Sequence, residues 1–444
     1  MVKNLAIYKS ILRISFPISL ALLIPFLNIT VNNFFLSDLG ETQMGTAGIT
    51  GVYYLLMAML GNGLSSAVQT IIARRSGEDN KEAIGITFTN GFVVSLALSF
   101  IYILFSILFT PIIFKWFLHH EHVQTLSEDF IFIRVWGLPF LYVFQLVNSF
   151  FMGTGNTRFL MYGTVVQAGL NIVLDYGLIF GKLGMPAMGF NGAAVASVLS
   201  EVAGMLVVIF IVFKRKYVQQ FYLWRAFQIQ TKTLKLIIKT ALPLKGQYAI
   251  SLSSWLFFYL LIEHQGEQSL AISNLMRNLF SFTGIFIWAL ASTTNTMVST
   301  AIGQKRSHEV IRLVHHIVIL SLSFTTVLFI FMNLNASGLL SLFGNSPSFI
   351  QAGIPVIRMV SSAILLQSVS VIWLNAVTGT GKTSINLMIE LMAILFYGAY
   401  IYIIIEIWKL DLVWAWASEI IYWSVILTGS YFYMRSSRWM NYRM

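Results

Sequence analysis

IGITFTNGFVVSLALSFIYILFSILFTPIIF, at Ile84–Phe114, contains no Asp, Glu, Lys or Arg. A helix needs about 20 apolar residues to cross the hydrocarbon core of a bilayer, and this run exceeds that length. It shows no strict alternation of polar and apolar residues, so it does not read as a barrel strand. Inside lipid every backbone N–H and C=O must be bonded internally, which a helix achieves within one segment. Runs of the same kind recur on both sides, predicting twelve spans at 11–36, 46–72, 84–114, 127–153, 159–180, 189–213, 235–262, 269–302, 309–334, 350–377, 384–407 and 411–434. The fold class is therefore all-α, a polytopic membrane protein.

Composition points the same way. Across 444 residues, 57% are hydrophobic and 10% charged, which excludes an ordinary aqueous surface. The apolar run after Arg13 is too long for a removable signal and lacks a small-residue cleavage site, so it is expected to stay as the first span. The chain has no cysteine, which excludes disulfides, thiolate metal sites and cysteine nucleophiles.

The formal charge of +11 is distributed unevenly. Basic residues gather in alternate joints: Lys3, Lys9 and Arg13; Arg74, Arg75 and Lys81; Arg158; Lys214, Arg215, Lys216, Arg225, Lys232, Lys235 and Lys239; Lys305, Arg306 and Arg312; Lys382; Arg435, Arg438 and Arg443. The intervening joints hold only Lys115, Lys182 and Lys409. Basic loops are retained in the cytoplasm during insertion, so both termini are expected there. The excess is a topology signal rather than a nucleic-acid footprint, and the basic loop at 214–239 is also placed to touch anionic lipid.

An internal repeat carries more information. Pro17 and Pro243, Gly40 and Gly266, and Gly153 and Gly379 are each 226 positions apart. The run Ile72-Ala73-Arg74-Arg75 set against Ile302-Gly303-Gln304-Lys305 is 230 apart, which predicts a short insertion that is later compensated. Each copy holds an even number of spans, so the halves enter the membrane alike and are expected to be two six-helix lobes related by a pseudo-twofold axis along the membrane normal. The expected partition is 1–213 for the first lobe, 214–234 for a cytoplasmic linker and 235–444 for the second lobe. Two such lobes suit rocking between inward-open and outward-open states.

Several of these residues resemble a known family. Pro17, Leu39-Gly40, the Gly153–Arg158 run, and Asn171 to Gly181 with its central Asp175 look like the multidrug and toxic compound extrusion transporters, the MATE family. Leu270-Ala271-Ile272, Ile302-Gly303 and Gly379 to Thr383 agree in the second half. The resemblance covers nearly the whole chain. It implies a secondary antiporter, not an enzyme, that exports organic and often cationic compounds in exchange for protons or sodium. It also implies a bacterial cytoplasmic membrane, small organic substrates and lipids as partners, a monomer, and no cofactor beyond the coupling ion. A lipid-linked oligosaccharide flippase of the same superfamily and a sodium-coupled drug antiporter are the alternatives.

Asp175 is the sharpest candidate, since an acid within a span costs about 2.5–3.5 kcal/mol on insertion scales and marks function by default. Asn171, four residues earlier, shares its helical face and is expected to hydrogen-bond the carboxylate. Both match family positions of the cavity, and Ser197 sits where relatives often have Thr, with Glu201 one turn later on the same face. The first-helix Asp of the family falls on Asn32, flanked by Asn28 and Asn33, and the acids of a sodium site in some relatives fall near Ser251 and Gln367. These departures weaken a sodium reading. Asp175 is expected to be the coupling group, where a proton and an incoming cation compete for one carboxylate, with Asn32 and Asn171 as partners.

Other charges are weaker candidates. Glu263 and Arg277 are placed to pair as an outer gate, while Glu390, Glu419 and Lys245 are candidates to line the second lobe, with Asn386 on the face of Glu390. Arg134 and Arg358 are expected to snorkel to the outer interface. Gly379-Thr380-Gly381-Lys382-Thr383 mimics a phosphate loop, yet Ala376 stands where the first glycine is required and no strand precedes it. His119, His120 and His122 lack the spacing of a metal site, so no metal is expected.

Overall fold

The computed structural model describes residues 2–223, 229–342, 344, 346–440 and 442, with side chains from Leu5 onward. Arg225, Arg443 and the side chain of Lys3, all part of the charge argument, lie outside the described residues. Every regular element among the described residues is helical. In chain order these are α1 (Val2–Ser37), α2 (Glu41–Gly77), α3 (Lys81–Phe117), α4 (Glu121–Arg134), α5 (Leu138–Gly153), α6 (Leu160–Phe180), α7 (Phe190–Lys214) and α8 (Tyr217–Gln220). The second half follows with α9 (Thr231–Glu263), α10 (Glu267–Gly303), α11 (Val310–Leu334), α12 (Ala336–Ser341), α13 (Pro347–Thr380), α14 (Thr383–Tyr402), α15 (Leu412–Trp416) and α16 (Ser418–Arg435).

Eleven stretches among the described residues are long and apolar enough to cross a bilayer. The 33-residue α9 is the twelfth spanning segment. It reads as less apolar because Lys245, Gln247, Ser251, Ser253 and Ser254 lie along its middle. The protein is a multi-pass membrane protein. The fourth span is α4 and α5 joined through one 3-10 turn at Val135–Gly137, where Pro139, second residue of α5, removes a backbone donor.

The repeat is more regular than the sequence reading gave. Both α2 and α10 are 37 residues long, and Glu41 and Glu267 open them at the 226 spacing. No insertion interrupts the register, which corrects the 230 offset at Ile72 and Ile302. The similarity of those two segments is accidental; Ile72 is instead matched by Val298, and packing shows it. A Cβ at Gly153 would lie 2.7 Å from the Ile72 side chain and 3.0 Å from the Gln69 carbonyl oxygen. A Cβ at Gly379 would lie 2.9 Å from both the Val298 side chain and the Asn295 carbonyl oxygen. The same glycine thus lets the same two helices approach in each copy, the small-residue packing that lipid favours.

The chain forms two compact units, residues 20–245 and residues 1–19 with 246–444. Their limits fall inside α1 and α9, two residues beyond Pro17 and Pro243, and not at the linker between the repeats. In the 20–245 unit, α2 and α5 are tied by Tyr142 Oη donating to the Met57 carbonyl at 2.7 Å and by paired bonds between Ser65 and Ser149. α6 and α7 meet at Gly192, whose added Cβ would lie 2.6 Å from the Leu178 carbonyl oxygen. Backbone cannot rotate aside as a side chain can. Gly192→Ala is therefore expected to cost about 1–3 kcal/mol and lower the apparent melting temperature in detergent; an unchanged melting curve would show that α7 shifts freely.

In the other unit Ile11 of α1 packs into the core with Val314 and Ile317 of α11, and the Tyr8 ring lies 5.4 Å from that of His316. Ser321 donates to the Ser368 carbonyl at 3.0 Å and Ser370 to the Trp423 carbonyl at 2.8 Å, so hydroxyls stitch α11, α13 and α16.

Candidate functional site

Asp175 lies on the buried face of α6 with 0% of its surface exposed. Neither carboxylate oxygen has a hydrogen-bond partner among the described residues. A buried carboxylate left this way is costly unless a proton or a cation occupies it. One turn earlier, the Asn171 Oδ1 accepts from Asn28 Nδ2 at 2.6 Å and more weakly from Asn32 Nδ2 at 3.5 Å. The expected bond from Asn171 to Asp175 is not made: the Oδ1 faces α1, and Nδ2, the atom that would donate to the carboxylate, has no partner. What remains is a set of polar atoms without partners: Asn28 Oδ1, Asn32 Oδ1, Asn171 Nδ2 and both oxygens of Asp175. Two neutral carbonyl oxygens and one acid are oxygen chemistry suited to a proton or a small or organic cation, and the charge is confined to Asp175.

Glu201 differs from the expectation that it binds substrate. Its two oxygens accept from Arg134 Nη2 at 2.6 Å and Nη1 at 2.8 Å, a forked ion pair, and from Tyr54 Oη at 3.0 and 3.1 Å. The Arg134 guanidinium also stacks 3.6 Å over the Tyr54 ring. All this corrects the snorkelling of Arg134. That reading placed it at the start of the span; α4 begins at Glu121, so Arg134 is its fourteenth residue and deep in the span. There a guanidinium needs an internal counter-ion. Gly137 makes room for the pair, since a Cβ there would overlap the Glu201 carboxylate and the Arg134 guanidinium. Ser197 is half-buried on α7, and Arg358 is exposed.

Glu263 and Arg277 make no ion pair with each other among the described residues, which removes the expected outer gate. Both are exposed. Arg277 lies ten residues, about 15 Å of helical rise, beyond the start of α10, and its guanidinium sits 5.2 Å over the Tyr259 ring. At the same joint His264 Nδ1 and Glu406 Oε1 are 2.5 Å apart, a contact no sequence signal indicated.

Lys245 does not line the second lobe: it groups with residues 20–245, its stem against Gly63 and its ammonium 5.5 Å over the Tyr102 ring. Glu390 and Glu419 are both buried in the other unit. Glu419 accepts from Trp423 Nε1 at 3.0 Å. Asn386 shares the buried face of α14 with Glu390 but donates to Thr378 Oγ1 at 2.7 Å. Gln367 is buried with its Oε1 unpartnered. No group of three or more His, Asp or Glu converges among the described residues.

The repeat, the twelve spans and the buried polar sites define a membrane transporter fold. The MatE family model matches residues 17–177 and again 243–403, so the chain belongs to the MatE family. Both matches start and end 226 positions apart, the same register seen in the helices. A protein of Thermotoga maritima called probable multidrug resistance protein NorM is 22% identical over 389 residues, 87% of this chain and 83% of that one. One of the same name from Halalkalibacterium halodurans is 27% identical over 247 residues, 55% of this chain and 54% of that one, so the match spans about half of that relative. Among solved structures, the outward-facing conformation of a multidrug resistance MATE family transporter of the MOP superfamily aligns with a TM-score of 0.88 and 21% identity, over 96% of this chain and 95% of that one. At that identity the likeness speaks for the fold.

Proposed function

We propose that this protein is a secondary antiporter that exports organic cations in exchange for protons, with Asp175 as the coupling carboxyl. The observation that carries the reading is the state of Asp175: fully buried in a spanning helix, with neither oxygen bonded and three asparagines clustered one turn away. A proton cancels the charge by bonding to one oxygen. A cation cancels it by lying against both. The two cannot share the site, so loading cargo releases the proton, and reloading the proton expels cargo on the other side. Asn28 and Asn32 supply carbonyl oxygens without adding charge, so the site carries one exchangeable charge. One proton entering for one monovalent cation leaving moves no net charge, so the pH difference drives the exchange, about 1.4 kcal/mol for each tenfold difference in proton concentration.

The chain's basic joints support insertion with both termini in the cytoplasm, and the setting proposed is a bacterial cytoplasmic membrane. Substrate and lipid are the partners this mechanism needs, and it needs no cofactor.

The test is a proteoliposome assay with a fluorescent organic cation in which proton and sodium gradients are imposed separately. Efflux is expected with the proton gradient. Efflux driven by sodium alone would transfer the reading to the sodium-coupled alternative.

A further inference from the structure

The unit formed by residues 1–19 and 246–444 has an acid site of its own, and it is not a copy of the first. In the 226 frame Asp175 falls on Ile401 and Asn171 on Tyr397, while Glu390 falls on Thr164. Glu390, on α14, has 0% of its surface exposed. Its carboxylate accepts from Ser251 Oγ, from Gln247 Nε2 at 3.2 Å and from Tyr422 Oη at 2.5 Å, two donors from α9 and one from α16. All three donors are neutral.

Charge decides what such an arrangement can hold. No Lys, Arg or His among the described residues pairs with Glu390, whereas Glu201 has Arg134. Neutral donors orient a carboxylate and lower its cost but leave its full negative charge inside the span. The titratable groups around it add no positive charge. They are Tyr248 on α9, Tyr422 on α16, Glu419 three residues before Tyr422, and Tyr397 on α14, whose ring lies 5.9 Å from that of Tyr422. Lys245 of α9 faces Tyr102 instead. The charge must be met from outside the protein's own side chains.

Access and lining point to the kind of cation. Gln247, Ser251 and Tyr422 are each half-buried, so the buried acid is held by side chains that are themselves partly exposed. Of the three, Tyr422 is aromatic and its ring is partly exposed, while Tyr397 and Phe258 behind it belong to the buried core. Ring faces hold ammonium groups well.

We propose that Glu390 is a second exchangeable acid that holds a proton at rest and releases it to bulk water when an organic ammonium binds against its carboxylate and the Tyr422 ring. This rests on the cation-for-proton reading above and adds to it a second site that exchanges a proton for a cation. The proton leaves the carboxyl oxygen and the cation's charge replaces it, so no covalent bond to cargo forms.

The test is proton release from the purified chain in weakly buffered detergent on addition of tetraethylammonium, with binding followed in parallel. Wild type is expected to release about two protons per chain at saturation, Asp175→Asn and Glu390→Gln about one each, and the double variant none. Unchanged release in Glu390→Gln would make Glu390 structural and end the proposal while leaving Asp175 in place. Unchanged release in Asp175→Asn with loss in Glu390→Gln would do the reverse. Should Glu390→Gln fail to fold, Tyr422→Phe keeps the acid and removes one donor. It is expected to move the pH at which one of the two protons leaves, and an unmoved profile counts against the site.

Discussion

Asp175→Asn is expected to abolish proton-driven efflux, by at least tenfold and toward the level of empty vesicles, while leaving the protein folded and inserted. The amide has the shape of the carboxyl but can neither take up an exchangeable proton nor attract a cation with a full charge. Folding is expected to survive because the carboxylate makes no hydrogen bond that the amide would lose. An unpaired buried acid contributes little to stability and commonly costs some. The measurement is efflux of a fluorescent cation from proteoliposomes at matched protein content, with size-exclusion profile and melting curve as the folding control. Wild-type efflux from a well-folded variant would remove Asp175 from the mechanism.

The second large effect concerns stability. Arg134→Met and Glu201→Leu are each expected to cost about 3–5 kcal/mol, because either leaves its partner's charge buried and uncompensated. The double variant is expected to recover most of the loss, since two apolar side chains of similar volume need no counter-charge in a span. Apparent melting temperature and the folded fraction recovered from membranes report both effects. If the double variant is as poor as the sum of the single ones, the forked pair at 2.6 and 2.8 Å is not what holds α4 to α7. Recovery of stability without recovery of efflux would show that the ion pair matters to transport as well as to stability.

The helices were legible because lipid imposes one solution on apolar segments, and the repeat because glycine and proline mark positions where only those residues fit. Asp175 was legible for a related reason: an acid in the middle of a span stands out against its neighbours. The partner of Glu201 was not. Arg134 lies 67 residues away, and a misplaced start for the fourth span put it at the wrong depth. The donors around Glu390 come from 139 and 143 residues earlier and from 32 later, a convergence that no local pattern announces. Asn171 shows the limit of helical spacing as a guide: it shares a face with Asp175, yet its Nδ2 does not reach the carboxylate and its Oδ1 accepts from Asn28 on another helix. The false 230 offset arose from four residues of chance likeness, which the equal lengths of α2 and α10 expose.

The first nineteen residues belong to the same compact body as residues 246–444. During synthesis they precede that body and meet their permanent neighbours, among them His316 against Tyr8, only after some three hundred more residues have been made. A ribosome that stops after the first copy therefore delivers a segment with no home. Severing the gene between the copies would part residues 1–19 from the body in which they pack.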